Sequence, residues 1–305
     1  IRDRRTTLKM RGELEQSQLG AELAAQEQVL CIVNRRKTAQ ELYNNLPKEG
    51  SYCLTTLLYP AHRKQLLQEI RERLKDGLPC RVISTSLIEA GVDVDFPAVY
   101  REEAGLDSIL QAAGRCNREG KRAPEESIVT VFERAELPPM LFRTAIGATR
   151  EALMNICDIG ARETMQNYFD ALRSLSGETL DKSGVIKAFE KGINGCELPF
   201  RTVAENFHLI DQNTRTVYVP FGGGAALIER LKVGECSKEL YRKLGRYAVS
   251  VYEPHFQKLY AAGALLTARE VPVLDEDSAI LNDMSLYSEM TGLTLEPETG
   301  KAEFI

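Results

Sequence analysis

Short apolar runs alternate with amphipathic stretches through the first half of the chain. Val29-Leu30-Cys31-Ile32-Val33 has the length of a buried strand and stops at Asn34. From Lys37 to Leu46 the apolar positions Ala39, Leu42, Tyr43 and Leu46 return at helical spacing, with Asn34 placed to cap the helix. Tyr52 to Leu58 predicts a second strand with Thr55 and Thr56 near its end. A helix carrying Leu66, Leu67, Ile70 and Leu74 follows and closes at Asp76-Gly77. Cys80 to Ile83 predicts a third strand, ended by Ser84-Thr85-Ser86, and Val92 to Phe96 alternates like a further one before Pro97. Asp107 and Ser108 are set to cap a helix running to Arg115, and Ile128 to Phe132 supplies another strand. Strands alternating with helices predict a doubly wound α/β domain with a parallel sheet, whose polar loops fall just after the strands, where such folds bind ligands.

Outside this region the pattern changes. Arg2, Arg4, Arg5, Lys9 and Arg11 form a basic lead-in that reads as a solvated connector or as a hinge, and helical spacing begins at Leu14, Leu19 and Leu23. After Leu137-Pro138-Pro139, helical spacing runs to about Leu175, with Phe142, Ile146, Ala152, Ile156, Met165, Phe169 and Leu172 as inward positions. A short helix is expected between Asp181 and Gly195. Phe207 to Ile210 and Thr216 to Phe221 read as a hairpin turning at Asp211-Gln212-Asn213. Gly222-Gly223-Gly224 lacks the lysine and hydroxyl of a phosphate loop and reads as a turn. Leu240, Leu244, Tyr247 and Val251 fit both helix and strand.

Composition narrows the chemistry. With 39 basic against 44 acidic residues the net charge is −5, which argues against a global nucleic-acid-binding surface and leaves room for a local one. No run of eighteen apolar residues and no signal-peptide pattern occur, so neither a membrane span nor secretion is indicated. Seven cysteines without pairing or metal-ligand spacing, and three scattered histidines, suit a reducing compartment and no structural metal. A chain that begins with Ile1 is expected to be a piece of a longer protein.

The chemistry concentrates between Arg81 and Arg122. Gly91 removes a side chain where backbone could approach a ligand. The spacing predicts that Arg115 and Arg118 leave one face of a helix near Gln111, a fork suited to charge developing on phosphoryl oxygens. Arg115 and Arg118 could equally pair with Glu119, Asp107 or Glu102 at the surface, Thr85 could be a cap, and His62 reads as a helix-start or surface residue. Tyr247, Tyr252 and Phe256 suit core packing better than base stacking.

The stretches SLIEAGVDVDF and QAAGRCNREGK resemble the motor signature of superfamily 2 helicases, and their wording is similar to the Cas3 nuclease-helicases of type I CRISPR systems. Asn34-Arg35-Arg36-Lys37-Thr38-Ala39 resembles that family's opening of the second RecA-like domain, and Thr55, Thr56, Pro60, His62 and Arg63 its next nucleic-acid-facing motif. Threonine in the first position of that motif is a departure. The resemblance is strong from Val29 to Phe132 and weaker beyond. It implies a RecA-like parallel sheet with flanking helices, then a helical linker and a small mixed α+β C-terminal domain. The implied division is a connector and first helix (1–28), the second RecA-like domain (29–136), the linker (137–200) and the accessory domain (201–305).

The resemblance further implies roles for single residues. Gln111, Arg115 and Arg118 would face ATP, with Arg118 as the arginine finger. Asp93 and Gly91 would lie on the nucleotide side. Thr55, Thr56, Arg63, Thr85 and Asn34 would lie on the path of single-stranded DNA. The implied protein is prokaryotic and cytoplasmic, uses ATP and Mg²⁺, and carries its nuclease metals and first RecA-like lobe on the N-terminal side. It acts with a Cascade surveillance complex and is open to an inhibitor protein. The sequence contains no GxxxxGK[ST] phosphate loop, so the fragment would neither hydrolyse ATP efficiently nor cut DNA. Another superfamily 2 RNA or DNA helicase, and a non-catalytic interaction module, are the alternatives.

Overall fold

The computed structural model describes residues 5–154, 159–177, 181, 183–195, 198–207 and 214–296. Two compact units result, one formed by residues 1–103, 111–137 and 214–305 and the other by 104–110 and 138–213.

In the first unit the elements follow as β1 (Thr7–Glu13), α1 (Gln16–Ala24), β2 (Gln28–Ile32), α2 (Arg36–Asn44), β3 (Ser51–Leu54), α3 (Pro60–Lys75), β4 (Cys80–Ser84), β5 (Ala98–Glu102), α4 (Leu106–Ala113, shared with the second unit) and β6 (Ile128–Glu133). The strands form one six-stranded sheet in the order β1-β6-β5-β2-β4-β3. Every pairing in it is parallel. Successive side chains of a strand point to opposite faces, so Leu30 and Ile32 enter one core with Val82, Val99 and Val129, while Val29, Cys31 and Val33 enter the other with Ile83, Tyr100 and Phe132. Both faces are covered, as a parallel sheet requires.

Several sequence expectations are corrected here. Lys9 and Arg11 of the basic lead-in lie on β1, an edge strand in parallel register with β6 from Thr7 opposite Ile128 to Met10 opposite Val131, while Arg2 and Arg4 lie outside the described residues. Residues 92–95 are loop, and Phe96 makes only an isolated bridge to Cys116, so the strand lies at Ala98–Glu102. It escapes a hydropathy reading because Arg101 and Glu102 are buried within it.

The second unit holds α5 (Met140–Leu153), α6 (Arg162–Ser176), α7 (Val185–Asn194) and α8 (Phe200–Asn206). Leu106, Ala148, Ala152, Tyr168 and Ala171 make its core, and Tyr168 Oη donates to Asp107 Oδ1 at 2.8 Å. Met165 and Phe169 are exposed instead of inward, because Thr164, Tyr168 and Ala171 turn the buried face of α6. Ile156 and the turn at 211–213 lie outside the described residues.

The C-terminal part of the first unit runs β7 (Thr214–Tyr218), α9 (Gly223–Lys232), α10 (Lys238–Leu244), β8 (Ala248–Tyr252), α11 (Glu253–Ala261), β9 (Leu265–Leu266), β10 (Ser278–Leu281), β11 (Tyr287–Ser288) and β12 (Gly292–Leu293). A mixed sheet in the order β8-β7-β10-β9 and the two-stranded β11-β12 hairpin result. β7 pairs antiparallel with β8 and parallel with β10, in place of the hairpin expected with Phe207–Ile210, of which 208–210 lie outside the described residues. Gly222, at φ +54, is the turn that opens α9. Leu57 and Tyr59 of the RecA-like sheet's β3 loop share one core with Val217, Val249, Phe256 and Tyr287.

Candidate nucleotide and nucleic-acid interface

The loops that follow β2, β3 and β4, strand β5 and the loop between α4 and β6 carry the polar residues. Deepest among them is Arg101 on β5, with no exposed surface. A buried guanidinium is tolerable only when paired and hydrogen-bonded. Here Arg101 Nε faces Glu89 Oε1 at 2.8 Å, and Nη1 donates to Asn34 Oδ1 at 2.8 Å and to the Glu102 carbonyl at 2.6 Å. Asn34 completes the network, its N–H donating to Glu102 Oε2 and its Nδ2 to the Glu103 carbonyl, each at 2.8 Å. Asn34 therefore does not cap α2, whose N-cap is Arg35 without a side-chain cap bond. Burial lowers the Arg101 pKa against the pull of Glu89 and Glu102. Burial also raises that of Glu102, opposed by the Asn34 N–H and by Arg101.

This network passes directly to Arg115. Its Nε donates to the Ile88 carbonyl at 3.0 Å and its Nη2 to the Glu89 carbonyl at 2.5 Å, so one arginine holds the backbone of the residue whose carboxylate holds the other. Burial lowers the Arg115 pKa, and nearby Arg118 lowers it further. The expected fork on one helix face does not form. α4 stops at Ala113, Asn117 adopts φ +47, and Arg115 turns inward while Arg118 turns outward.

Arg118 is 45% exposed and its Nε lies 2.7 Å from Asp93 Oδ1, a carboxylate that is itself 76% exposed. Its backbone N–H donates to Asp95 Oδ1 at 2.7 Å, and Asp95 Oδ2 pairs with Arg122 at 3.1 Å. The Asp93 carbonyl in turn accepts from Arg71 Nε at 2.9 Å. Gly91 sits at φ +71 with open space where a Cβ would stand, so its backbone conformation accounts for the glycine. Gln111 is exposed on the last turn of α4. Cys116 is buried and its thiol pushed up to about 12, chiefly by desolvation, which makes it an inert spacer.

The second group surrounds the loop after β3. Thr55 is fully buried and its Oγ1 accepts from the Leu57 N–H at 3.2 Å, while Thr56 is half-buried. Arg63, on the first turns of α3, donates through Nη1 to the Leu58 carbonyl at 2.7 Å. Thr85, at the end of β4, is 8% exposed and precedes a 3-10 turn over Ser86–Ile88 without a side-chain cap bond. His62 is not a surface residue: it is buried, with Nδ1 3.0 Å from Tyr287 Oη, and desolvation lowers its pKa. Phe256 is core, whereas Tyr252 is exposed beneath the Arg36 guanidinium, 5.1 Å from its ring centroid.

Glu89, Arg101 and Glu102 were not legible as a site, because charge in sequence reads as surface; the only signal was that the Tyr100-Arg101-Glu102 segment follows an apolar Ala98-Val99 pair. Among the described residues no group of three or more histidine, cysteine or acidic side chains could hold a metal ion. Nor is any helix among them long and apolar enough to cross a membrane.

Residues 25–121 match the family profile described as CRISPR-associated nuclease/helicase Cas3, C-terminal. The chain is similar to the CRISPR-associated nuclease/helicase Cas3 of Haloferax volcanii, at 51% identity over 61 residues, or 20% of this chain and 6% of that protein. It is likewise similar to that of Methanothermobacter thermautotrophicus, at 35% identity over 95 residues, 31% of this chain and 11% of the relative. Its fold is like that of T. fusca Cas3 crystallised with AMPPNP, with a TM-score of 0.57 at 16% identity, covering 94% of this chain and 42% of the other. A chain of a CRISPR RNA-guided surveillance complex in a pre-nicking state matches at a TM-score of 0.56 and 16% identity, covering 94% and 43%. The matched stretch thus spans a small part of the curated relatives, and this chain less than half of the solved ones. Over residues 25–121 the chain therefore matches the C-terminal region of the Cas3 CRISPR-associated nuclease/helicase family, and its fold over most of its length is like that of solved Cas3 proteins.

Proposed function

We propose that this chain is the second RecA-like lobe, helical linker and accessory C-terminal domain of an ATP-dependent, single-stranded-DNA-translocating helicase-nuclease. The division follows residues 29–136, 137–200 and 201–305. The observation that carries the reading is Arg118 on the loop between α4 and β6, half-exposed and held by one exposed carboxylate, Asp93. A guanidinium so placed can exchange its carboxylate for phosphate oxygens, whereas Arg115, committed to two carbonyls, keeps the loop in shape.

These residues fit half of a nucleotide site. Arg118 would hold phosphate oxygens, and Asp93 and Gln111 would border the remainder. ATP supplies the phosphoryl group whose transfer an arginine finger assists. The Mg²⁺ and nuclease metals belong in this reading to the first RecA-like lobe and nuclease domain. Arg63, Thr56 and Thr85 would contact the DNA backbone, which gives movement without sequence preference. Asn34 and Thr55 would act behind them, through the buried network and the β3 loop. Recruitment by a Cascade complex in a prokaryotic cytoplasm would go with the resemblance to Cas3, and an inhibitor protein would act by blocking either face.

The test is ATP hydrolysis by this chain joined to the residues encoded before Ile1. Hydrolysis stimulated by single-stranded DNA more than by RNA of the same length is expected. Stronger stimulation by RNA would make it an RNA helicase. No hydrolysis in the completed chain would leave an interaction module.

A further inference from the structure

The β11-β12 hairpin grips the loop that leads into α3. Leu293 N–H donates to the Leu57 carbonyl at 3.0 Å, and Gln40 Nε2 ties the hairpin turn to α2 through the Thr291 carbonyl at 3.0 Å. Gly292 stands between these contacts at φ +80. A Cβ there would lie 2.5 Å from both the carbonyl carbon and oxygen of Leu57 and 2.7 Å from the Leu58 nitrogen, all backbone atoms that cannot turn aside. On the other side of the loop the Tyr287 ring stacks on Tyr59, with centroids 5.3 Å apart at 20°, and its hydroxyl meets His62 Nδ1. The hairpin therefore fixes residues 57–62 at both ends. The Leu58 carbonyl inside that segment is the one that holds the Arg63 guanidinium at 2.7 Å.

We infer that the β11-β12 hairpin, through Gly292 and Tyr287, is the positioning element for Arg63, so that the C-terminal domain sets the aim of the DNA grip. This rests on the reading of Arg63 as a DNA-backbone contact. The guanidinium is half-buried and has one backbone anchor among the described hydrogen bonds. Moving that anchor by the ångström or more that a side chain at 292 demands would take Arg63 off its line. A hairpin that merely packed against the lobe would leave Arg63 indifferent to it.

The experiment measures binding of a fluorescein-labelled twelve-nucleotide oligothymidylate to the full chain across a series of KCl concentrations. Arg63→Ala is expected to weaken binding about tenfold at low salt and to flatten the salt slope by about 0.7, the share of one phosphate contact on a single strand. Gly292→Ala should give the same flattening, and the double variant should bind no more weakly than either single one within about twofold, since coupled residues do not add. A Gly292→Ala protein that melts cooperatively yet keeps the wild-type slope overturns the inference. So does a double variant whose losses multiply. If Gly292→Ala does not fold, Tyr287→Phe takes its place: a loss of about threefold that disappears in the Arg63→Ala background is expected, and one that persists there overturns it. Should Arg63→Ala itself leave affinity and slope unchanged, the DNA contact is what falls, and the lever loses its object with it.

Discussion

Two loops at the same end of the same sheet are fastened by opposite means. The loop after β4 is held by charge: Arg101 on Glu89, Arg115 on the carbonyls of Ile88 and Glu89, and Arg118 on Asp93. The loop after β3 is held by rings and neutral hydrogen bonds: Tyr59 on Tyr287, His62 on the Tyr287 hydroxyl, and Leu293 on the Leu57 carbonyl. Each is tied to one arginine, Arg118 through the Asp93 carboxylate in one case and Arg63 through the Leu58 carbonyl in the other. The ionic fastening is graded from dry to wet along its length, so its outer member can change partners while its inner members cannot. The aromatic fastening comes from the C-terminal domain, so its arginine answers to a different part of the chain.

The largest effect should come from breaking the dry end of the ionic fastening. Arg101→Ala leaves Glu89 and Glu102 buried without their cation and should cost about 3 to 5 kcal/mol in urea unfolding; a loss under about 1 kcal/mol would mean that water already reaches the network. On the aromatic side, Tyr59→Ala removes a buried ring stacked on Tyr287 and should cost about 3 kcal/mol. A cost as small as that of a surface change would show that the hairpin only rests on the loop.

Acid should separate the two fastenings further. The His62 pKa is depressed by burial, with Glu289 opposing weakly, so the folded state binds its proton less readily than the unfolded one. Its contribution is present above the ordinary histidine value near 6.5 and is lost as pH falls through the depressed one. Melting curves at pH 7.5 and pH 5 should show a larger loss for the wild type than for His62→Gln. Equal losses would place the acid sensitivity elsewhere, His255 being the next group with a depressed pKa. The smallest effect belongs to the wet end: Arg118→Ala removes a largely exposed pair and should change stability by less than about 1 kcal/mol.

Much of this fold was written in the hydropathy of the chain. Runs such as Val29–Val33 and Ile128–Phe132 are strands because both faces of a parallel sheet are dry, and such strands need no alternation. β1 was hidden for the converse reason: as an edge strand it exposes Lys9, Met10 and Arg11, which read as a connector. Val92–Phe96 imitated a strand by alternation, while the strand beside it concealed itself in a buried Arg-Glu pair. The arginines themselves were legible, but their divergence was not, since it depends on Asn117 leaving the helical region. Nothing local marks Gly292 or Tyr287, whose importance comes from a loop more than two hundred residues away.

The most direct measurement compares Arg118→Ala and Arg63→Ala in the chain completed with its upstream residues, reading ATP turnover and single-stranded DNA affinity from the same preparations. Arg118→Ala should lower turnover by about 10³ while keeping its affinity for DNA, and Arg63→Ala should lose affinity in a salt-dependent way. Unchanged turnover in Arg118→Ala would contradict the account at its centre.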